Sequence, residues 1–267
     1  MNCLVCQEQM EYYFTKNFHS YNLAEVQYLK CPKCGFVTSK THHMMTQKEW
    51  EILNESYHNS YQNYTFNPDD PKWLDRLKMQ CSTIVNLAAR KIIPMRLPWL
   101  DFGCGDGKLS EFLSKNDFTI KKYDRYMQGT KPGFLSEQEM RDKKYDLVIS
   151  TSVFEHILKR RDLDKIIEHV DENGIFALHT HVREKIPKDP KWFYLLPVHV
   201  SFFTNASMQK LFSDWGFKFS IYHPKSTMWF WFKNGKKYNT VKNAISLLNK
   251  EFGEEFFIKE GFMDYWK

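Results

Sequence analysis

Apolar residues recur along the chain with two different periods, and the change of period marks its predicted elements. Residues 73–90 carry apolar side chains about every three to four positions, which predicts an amphipathic helix. The predicted strands that follow are 99–102, 118–123, 145–150, 174–179, 217–222 and 228–232, the predicted helices are 108–115, 161–170, 205–215 and 241–252, and a turn is predicted at 171–174. Strands that alternate with helices predict an α/β fold with a doubly wound, mostly parallel sheet.

The N-terminal part of the chain has a different pattern. Short predicted strands lie at 11–14, 26–29 and 36–38, followed by a polar helical pattern and a Tyr-rich stretch containing Tyr57, Tyr61 and Tyr64. The breaker Asn67-Pro68-Asp69-Asp70-Pro71 ends this part. We therefore predict a small ribbon over 1–45, a helical and Tyr-rich linker over 46–69, a core over 70–232 and a helical extension over 233–267.

Four of the six cysteines form two closely spaced pairs, Cys3-x2-Cys6 and Cys31-x2-Cys34, and this spacing is typical of a zinc knuckle. Two such knuckles supply four thiolates to one tetrahedral, closed and therefore structural zinc ion. The alternative is two unrelated pairs with no metal. We expect His42 and His43, which follow the second pair, to lie at the surface.

Composition indicates a globular protein. The chain has 267 residues, of which 42% are hydrophobic and 26% charged, and this excludes a disordered polar chain. The mean hydropathy is −0.57, and no apolar run approaches the ~20 residues of a membrane-spanning helix. No secretory signal precedes the first cysteine pair, so we expect a cytoplasmic protein that needs no membrane.

The net charge of +6 is a weak nucleic-acid signal. Residues 1–66 contain five lysines and six glutamates, so the ribbon contributes none of the excess. The mixed aromatic and basic stretch 228–237 is better interpreted as a buried strand ending at the Asn234-Gly235 turn than as a surface that stacks bases. Nucleic acid is therefore an unlikely partner, and the oligomeric state stays open.

A glycine-rich turn follows the first strand of the core. It contains Asp101, Gly103, Gly105 and Gly107 in the pattern D-x-G-x-G-x-G. A strand that ends in glycines before a helix lets backbone N–H groups approach a ligand closely. The acid at the strand end suits a ligand with an ammonium group, and Asp124 ends the next strand, where a carboxylate can accept hydrogen bonds from ribose hydroxyls.

With these residues, the sequence resembles the class I S-adenosylmethionine (SAM)-dependent methyltransferases. The matching segments are DFGCGDG at 101–107, Asp124, YDLVISTSVFEHI at 145–157, ENGIFALHT at 172–180 and HVSFFTNASMQKLFSDWGF at 199–217. The resemblance implies a Rossmann-like fold, SAM as cofactor and a methyltransferase. It further implies that glycines 103, 105 and 107 line the methionine part of SAM, with Asp101 near its amino group, Asp124 at the ribose, and Ser150, Thr151 and Ser152 at the mouth of the site.

Histidines are the candidates for work on the methyl acceptor. Methyl transfer needs a base only when the acceptor must lose a proton, as a hydroxyl must, and imidazole suits that role. We expect His199, His181 and His156 near the acceptor, beside an aromatic lid or wall at 192–197. A metal ion at these histidines is not expected, because the sequence shows no accompanying acid at ligand spacing.

An N-terminal cysteine ribbon before such a core is similar to sugar and other small-molecule methyltransferases of surface-polysaccharide pathways. We therefore expect O-methylation of a small acceptor, such as a sugar or a phosphate-type group of a polysaccharide building block. One alternative is an RNA methyltransferase with a zinc module, and another is a non-catalytic SAM-binding or zinc scaffold protein.

Overall fold

The computed structural model describes residues 1–21, 23–59, 72–126, 133–253 and 255–264. Tyr61, Tyr64 and the breaker at 67–71 lie outside these residues. The strands are β1 (Glu11–Asn17), β2 (Glu25–Lys30), β3 (Val37–Ser39), β4 (Trp99–Phe102), β5 (Ile120–Tyr123), β6 (Tyr145–Thr151), β7 (Val170–His179), β8 (Val182–Arg183), β9 (Ser201–Thr204), β10 (Phe219–His223), β11 (Met228–Phe232) and β12 (Phe257–Glu260). The α-helices are α1 (Lys40–His43), α2 (Gln47–Asn59), α3 (Trp73–Ala89), α4 (Lys108–Ser114), α5 (Glu137–Met140), α6 (Arg160–Glu168), α7 (Asn205–Asp214) and α8 (Tyr238–Phe252), with 3-10 turns at Phe154–His156 and Gly235–Lys237.

The larger sheet of the described residues has seven strands in the order β12-β10-β11-β7-β6-β4-β5. Strands β5, β4, β6 and β7 are parallel, whereas β11, β10 and β12 run antiparallel to their neighbours. The fold is α/β as predicted, and the sheet is mixed: β5, β4, β6, β7 and β10 run in one direction, and β11 and β12 run in the other. The connection from β10 to β11 is too short for the crossover that parallel neighbours need, so these strands form a hairpin.

Helices cover both faces of this sheet, which explains the continuous apolar runs of its strands. Alternate residues of β6 point to opposite sides: Leu147 and Ile149 pack with α3, α4 and α8, while Val148 packs with α6 and α7. Every residue of β11 is buried, including Trp229 and Trp231. This confirms the interpretation of 228–232 as a strand, because these rings are not accessible for base stacking.

The smaller sheet joins the N-terminal ribbon to the second half of the chain. Its strand order is β1-β2-β3-β9-β8, with β3 antiparallel to β9. Thr38 Oγ1 also donates a hydrogen bond to the carbonyl of Val200 at 2.9 Å, and Thr204 Oγ1 donates to the carbonyl of Cys34. The ribbon is thus fixed against the segment that carries His199.

Two of the differences from the sequence prediction concern the larger sheet. Residues 171–174 belong to β7 and do not form a separate turn, because β7 begins at Val170 and pairs with Tyr145 through a register shift. The residues after 232 form not only helix α8 but also a strand, β12, which pairs with β10. Among the helices of the described residues, none is long and apolar enough to cross a membrane.

Candidate active site

A cavity of about 880 Å³ opens at the carboxyl ends of β4, β5, β6 and β7. The residues at these strand ends line it, including Phe102, Asp124, Thr151 and His179. The strand order reverses between β4 and β6, and ligands of doubly wound folds bind at such a reversal. Helix α2 and residues 193–199 form the opposite wall.

The glycine turn between β4 and α4 shapes one end of the cavity. Gly103, Gly105 and Gly107 have φ of +71°, +55° and +82°, a backbone conformation that favours glycine. A Cβ on Gly103 would lie 2.5 Å from a methyl of Val153, whereas a Cβ on Gly105 would meet nothing within 4 Å. The Gly105 backbone therefore faces open space, while Gly107 lies at the start of α4 and not in the cavity lining.

Asp124 holds this turn from the end of β5. One carboxylate oxygen accepts the N–H of Gly105 at 2.9 Å, and the other accepts the N–H of Tyr126 at 2.9 Å. A carboxylate retains lone pairs after two such bonds, so Asp124 can accept further hydrogen bonds from a ligand.

Asp101 lies under the turn and is only 1% exposed. Its carboxylate accepts a hydrogen bond from the Ser110 hydroxyl at 2.8 Å. Burial raises the pKa of Asp101 to about 7, and the negative charges of Asp124 and Asp106 act in the same direction, against the opposing charge of Lys122. A cationic ligand beside Asp101 would stabilise the ionised form.

The end of β6 bends sharply beside the glycine turn. Thr151 and Ser152 line the cavity, and Ser152 has a left-handed φ of +56° with its N–H bonded to the His179 carbonyl at 2.9 Å. Ser150 is fully buried and lies outside the cavity lining, and its hydroxyl has no hydrogen-bond partner in the described part of the chain.

The other end of the cavity brings the three predicted histidines together. The ring centroids of His156 and His199 are 4.9 Å apart, and the tilted ring of Tyr194 lies 4.4 Å from that of His199 and 4.8 Å from that of His181. His199 Nδ1 donates to the Tyr194 carbonyl at 2.9 Å, which leaves Nε2 as an acceptor, whereas His181 Nε2 already accepts from Arg183 at 3.1 Å. Burial lowers the pKa of His156 and of His181 to about 4, and that of His199 well below its usual value. All three imidazoles are therefore neutral at physiological pH.

The sequence comparison decides the family. A family model described as "Methyltransferase domain" matches residues 73–220, which is more than half of the chain. The chain belongs to this methyltransferase family. The matched residues include the glycine turn, Asp124 and all three histidines, and they form a class I SAM-dependent methyltransferase domain.

Several solved structures of methyltransferases are similar to part of this chain. Magnesium protoporphyrin IX methyltransferase from Synechocystis PCC 6803 with bound SAM is 17% identical, with a TM-score of 0.48 over 69% of this chain and 97% of that chain. DesVI from Streptomyces venezuelae is 15% identical, with a TM-score of 0.47 over 68% and 98%. An O-methyltransferase family protein from Burkholderia thailandensis is 10% identical, with a TM-score of 0.49 over 71% and 63%. The search of curated proteins found no match, so the assignment rests on the family model.

Several residues of the methyltransferase cavity were not singled out as site residues from the sequence. Glu155 is 1% exposed and accepts hydrogen bonds from Tyr194 Oη at 2.7 Å and Thr180 Oγ1 at 3.0 Å. His179 donates from Nδ1 to the Thr227 carbonyl at 2.9 Å, which leaves Nε2 as an acceptor. His58, on α2, has its ring 5.3 Å from that of His156. These residues come from separate segments. The sequence marks Glu155 through the E-H pair at 155–156 and His179 through its position two residues before His181, whereas no local pattern marks His58.

The expectation that His42 and His43 lie at the surface was wrong. Both line the cavity, and His42 is 1% exposed, with Nδ1 2.6 Å from Ser39 Oγ and Nε2 donating to the Pro197 carbonyl at 3.0 Å. The physical reason is the β3–β9 pairing, which places α1 beside the segment that precedes β9.

The four N-terminal cysteines converge on one point outside the cavity lining. The sulfur atoms of Cys3 and Cys34 are 3.6 Å apart, those of Cys6 and Cys31 are 3.4 Å apart, and all four lie within 4.8 Å of one another. Four thiolates at a Zn–S distance of about 2.3 Å have sulfur atoms about 3.8 Å apart. All four thiols are free of disulfides. This donor set fits a tetrahedral zinc ion.

Proposed function

We propose that the methyltransferase transfers a methyl group from SAM to an oxygen of a small acceptor. The observation that carries this proposal is the continuity of one cavity from the glycine turn to the histidines. Its volume of about 880 Å³ is at the upper end of the ~300–1,000 Å³ of pockets that bury drug-sized ligands. One cavity therefore has room for a cofactor at one end and an acceptor at the other.

The glycine-turn end is proposed to hold SAM, which supplies a methyl group on a good leaving group when bound. Gly103 and Gly105 would line the methionine part, with Asp101 facing its ammonium group and Asp124 the ribose. The open space at Gly105 and the raised pKa of Asp101 support this orientation. We propose supporting roles for Gly107 and Ser150, and assign Thr151 and Ser152 to the mouth of the site, beside the reacting groups.

The histidine end is proposed to hold the acceptor. The enzyme contributes chiefly alignment to an in-line displacement, and a hydroxyl acceptor must also lose its proton. His156 and His199 are placed to hold the acceptor oxygen, and His181 to orient it through Tyr194. His179 and His199 each present an Nε2 without a hydrogen, so either can take the proton.

Basic residues of the cavity lining offer partners for an anionic acceptor. Lys159, Arg161 and Lys165 also line the cavity. We therefore propose a sugar or a phosphate-type group of a surface-polysaccharide building block as the acceptor class. We further propose that the four cysteines hold a structural zinc ion that fixes the ribbon against β9.

Methyl transfer from labelled SAM tests this function. The intact protein is incubated with panels of sugar phosphates, nucleotide sugars and total RNA, with Asp124→Ala as the inactive control. We expect label in an anionic sugar, with a mass increase of one methyl group. Label in RNA alone would support the RNA methyltransferase alternative. SAH (S-adenosylhomocysteine) binding without label in either panel would support the scaffold alternative.

A further inference from the structure

A second group of metal-type ligands lies at the histidine end of the cavity. Glu155, His156 and His199 each offer one ligand atom, and these three atoms lie within 4.8 Å of one another. We propose that these residues form a binding site for a divalent transition-metal ion, separate from the four cysteines. Two imidazoles and one carboxylate are a ligand set of catalytic zinc and related ions, which keep open positions for a substrate.

The backbone assembles this site without help from an ion. Glu155 and His156 lie in the 3-10 turn after β6, and His199 lies just before β9. The N–H of Val200 donates to the Glu155 carbonyl at 2.7 Å, and Ser201 Oγ donates to the Ile157 carbonyl at 2.6 Å. These bonds join the two segments on either side of the ligands, so the cluster is fixed and not a chance approach of mobile side chains.

The hydrogen bonds around the cluster orient the side chains as metal ligands. His199 uses Nδ1 on the Tyr194 carbonyl and so presents Nε2, and Glu155 is held by the hydroxyls of Tyr194 and Thr180. Metal-binding histidines and carboxylates in proteins have partners of this kind. The buried Nδ1 of His156 makes no well-formed hydrogen bond among the described residues, and the Val198 backbone is the polar group that acts on this imidazole. An unpaired buried nitrogen is costly, and a bound ion would satisfy it.

The carboxylate of Glu155 also favours a bound cation. Glu155 is a buried acid that accepts hydrogen bonds from two neutral hydroxyls, those of Tyr194 and Thr180, and the positive charge of Arg76 in the same cavity also acts on it. Buried carboxylates are normally paired or bound to metals. The sequence shows no acid at the usual ligand spacing from the histidines, but the fold brings a carboxylate oxygen of Glu155 within 4.8 Å of ring nitrogens of His156 and His199.

The position of the ion adds a role to the proposed function. Only this role rests on the proposed function, since it requires the acceptor to lie at the histidine end. All three ligand residues line the cavity, so the open coordination positions would face the acceptor. The ion would then hold the acceptor oxygen, and His179 would remain available for the hydroxyl proton.

Calorimetric titration with Zn2+ tests the site in the intact protein, after the cysteine site has been loaded and excess zinc removed. We expect the wild type to bind about one further ion. Glu155→Gln and His199→Asn should lower the affinity for this further zinc ion at least ~10-fold. Tyr194→Phe, which removes a hydrogen-bond partner of Glu155, should lower it roughly 10–100-fold. His43→Asn is the matched control, because His43 lines the same cavity with its Nε2 3.3 Å from Thr38 Oγ1, and it should bind zinc as the wild type does.

Two results would overturn the proposal: a folded wild type that takes up no zinc beyond the cysteine site, or equal zinc affinity in Glu155→Gln. If a variant fails to fold, cobalt binding to the wild type decides. A second Co2+ should add weak d–d absorption without increasing the thiolate charge-transfer band, and a proportional increase of that band would contradict the site. SAH titration of the same samples separates the two proposals. A protein that binds SAH but no second metal ion would contradict only this inference. A protein that binds the second metal ion but no SAH would contradict only the proposed function.

Discussion

The two ends of the cavity are built in different ways. The glycine-turn end comes from one continuous stretch, residues 101–124, and presents backbone N–H groups and carboxylates. The histidine end is assembled from segments near 42, 58, 156, 179 and 199, and presents imidazole and aromatic rings. The first end depends on local backbone conformation, and the second depends on how the ribbon and β9 pack against the core. Substitutions at one end of the cavity should therefore leave the other end intact.

Substitution of a cysteine should damage the histidine end selectively. Cys31→Ser removes one of four converging ligands, and the ribbon is tied to β9 through the β3 pairing and the Thr204–Cys34 hydrogen bond. We expect loss of zinc and a fall in unfolding free energy of roughly 4–5 kcal/mol, the size of effect seen when a metal site is lost. Hydrogen exchange should increase in the ribbon and at 194–204 but not at 101–124. Unchanged zinc content and melting temperature would refute the structural zinc site.

Substitution of Asp124 should damage the other end. Asp124→Ala removes the acceptor of the Gly105 N–H and the proposed ribose partner, and bonds to a charged group contribute about 1.5–3 kcal/mol each. We expect SAH affinity to fall at least ~100-fold by calorimetry, with zinc content unchanged. Asp75→Ala, on the exposed side of α3, serves as the control and should bind SAH normally. Normal SAH binding by Asp124→Ala would remove Asp124 from the cofactor site.

Two glycines of the same turn should respond differently. Gly103→Ala places a Cβ against Val153 and should lower stability by about 2–4 kcal/mol, from left-handed strain and overpacking. Gly105→Ala should cost only the strain, about 1–2 kcal/mol, because its Cβ enters open space. That open space is where the cofactor is proposed to lie, so SAH affinity should still fall at least ~10-fold. Thermal melts and SAH titrations of both variants make the test, and equal SAH affinity in Gly105→Ala and wild type would contradict the orientation.

The smallest expected effect is a pH dependence of cofactor binding. The pKa of Asp101 is about 7 in the folded protein and about 3.9 in an unfolded chain, so its proton stabilises the fold at low pH. That stabilisation is lost as the pH rises from about 4 through 7. A cofactor ammonium requires the ionised form, so SAH affinity should rise up to ~10-fold between pH 6 and pH 8. Asp101→Asn should bind SAH more weakly and without this dependence, whereas a wild type with equal affinities at both pH values would exclude the proposed contact.

The features that depend on neighbouring residues in the chain were predicted best from the sequence. The glycine turn, the E-H pair and the cysteine spacing each depend on a few neighbouring residues, and most strands of the core lie within two residues of their predicted bounds. The antiparallel half of the sheet was not predicted, since strand direction depends on how short connections close in three dimensions. The burial of His42 was missed for a related reason. Its partner, the Pro197 carbonyl, lies 155 residues away, and no local pattern records that contact.

A calorimetric titration of the intact protein with SAH tests the central claim most directly. We expect one SAH to bind per chain, SAM to displace it, and Asp124→Ala to lose this binding. A folded wild-type protein that gives no binding heat with SAH, and none with SAM, would contradict it.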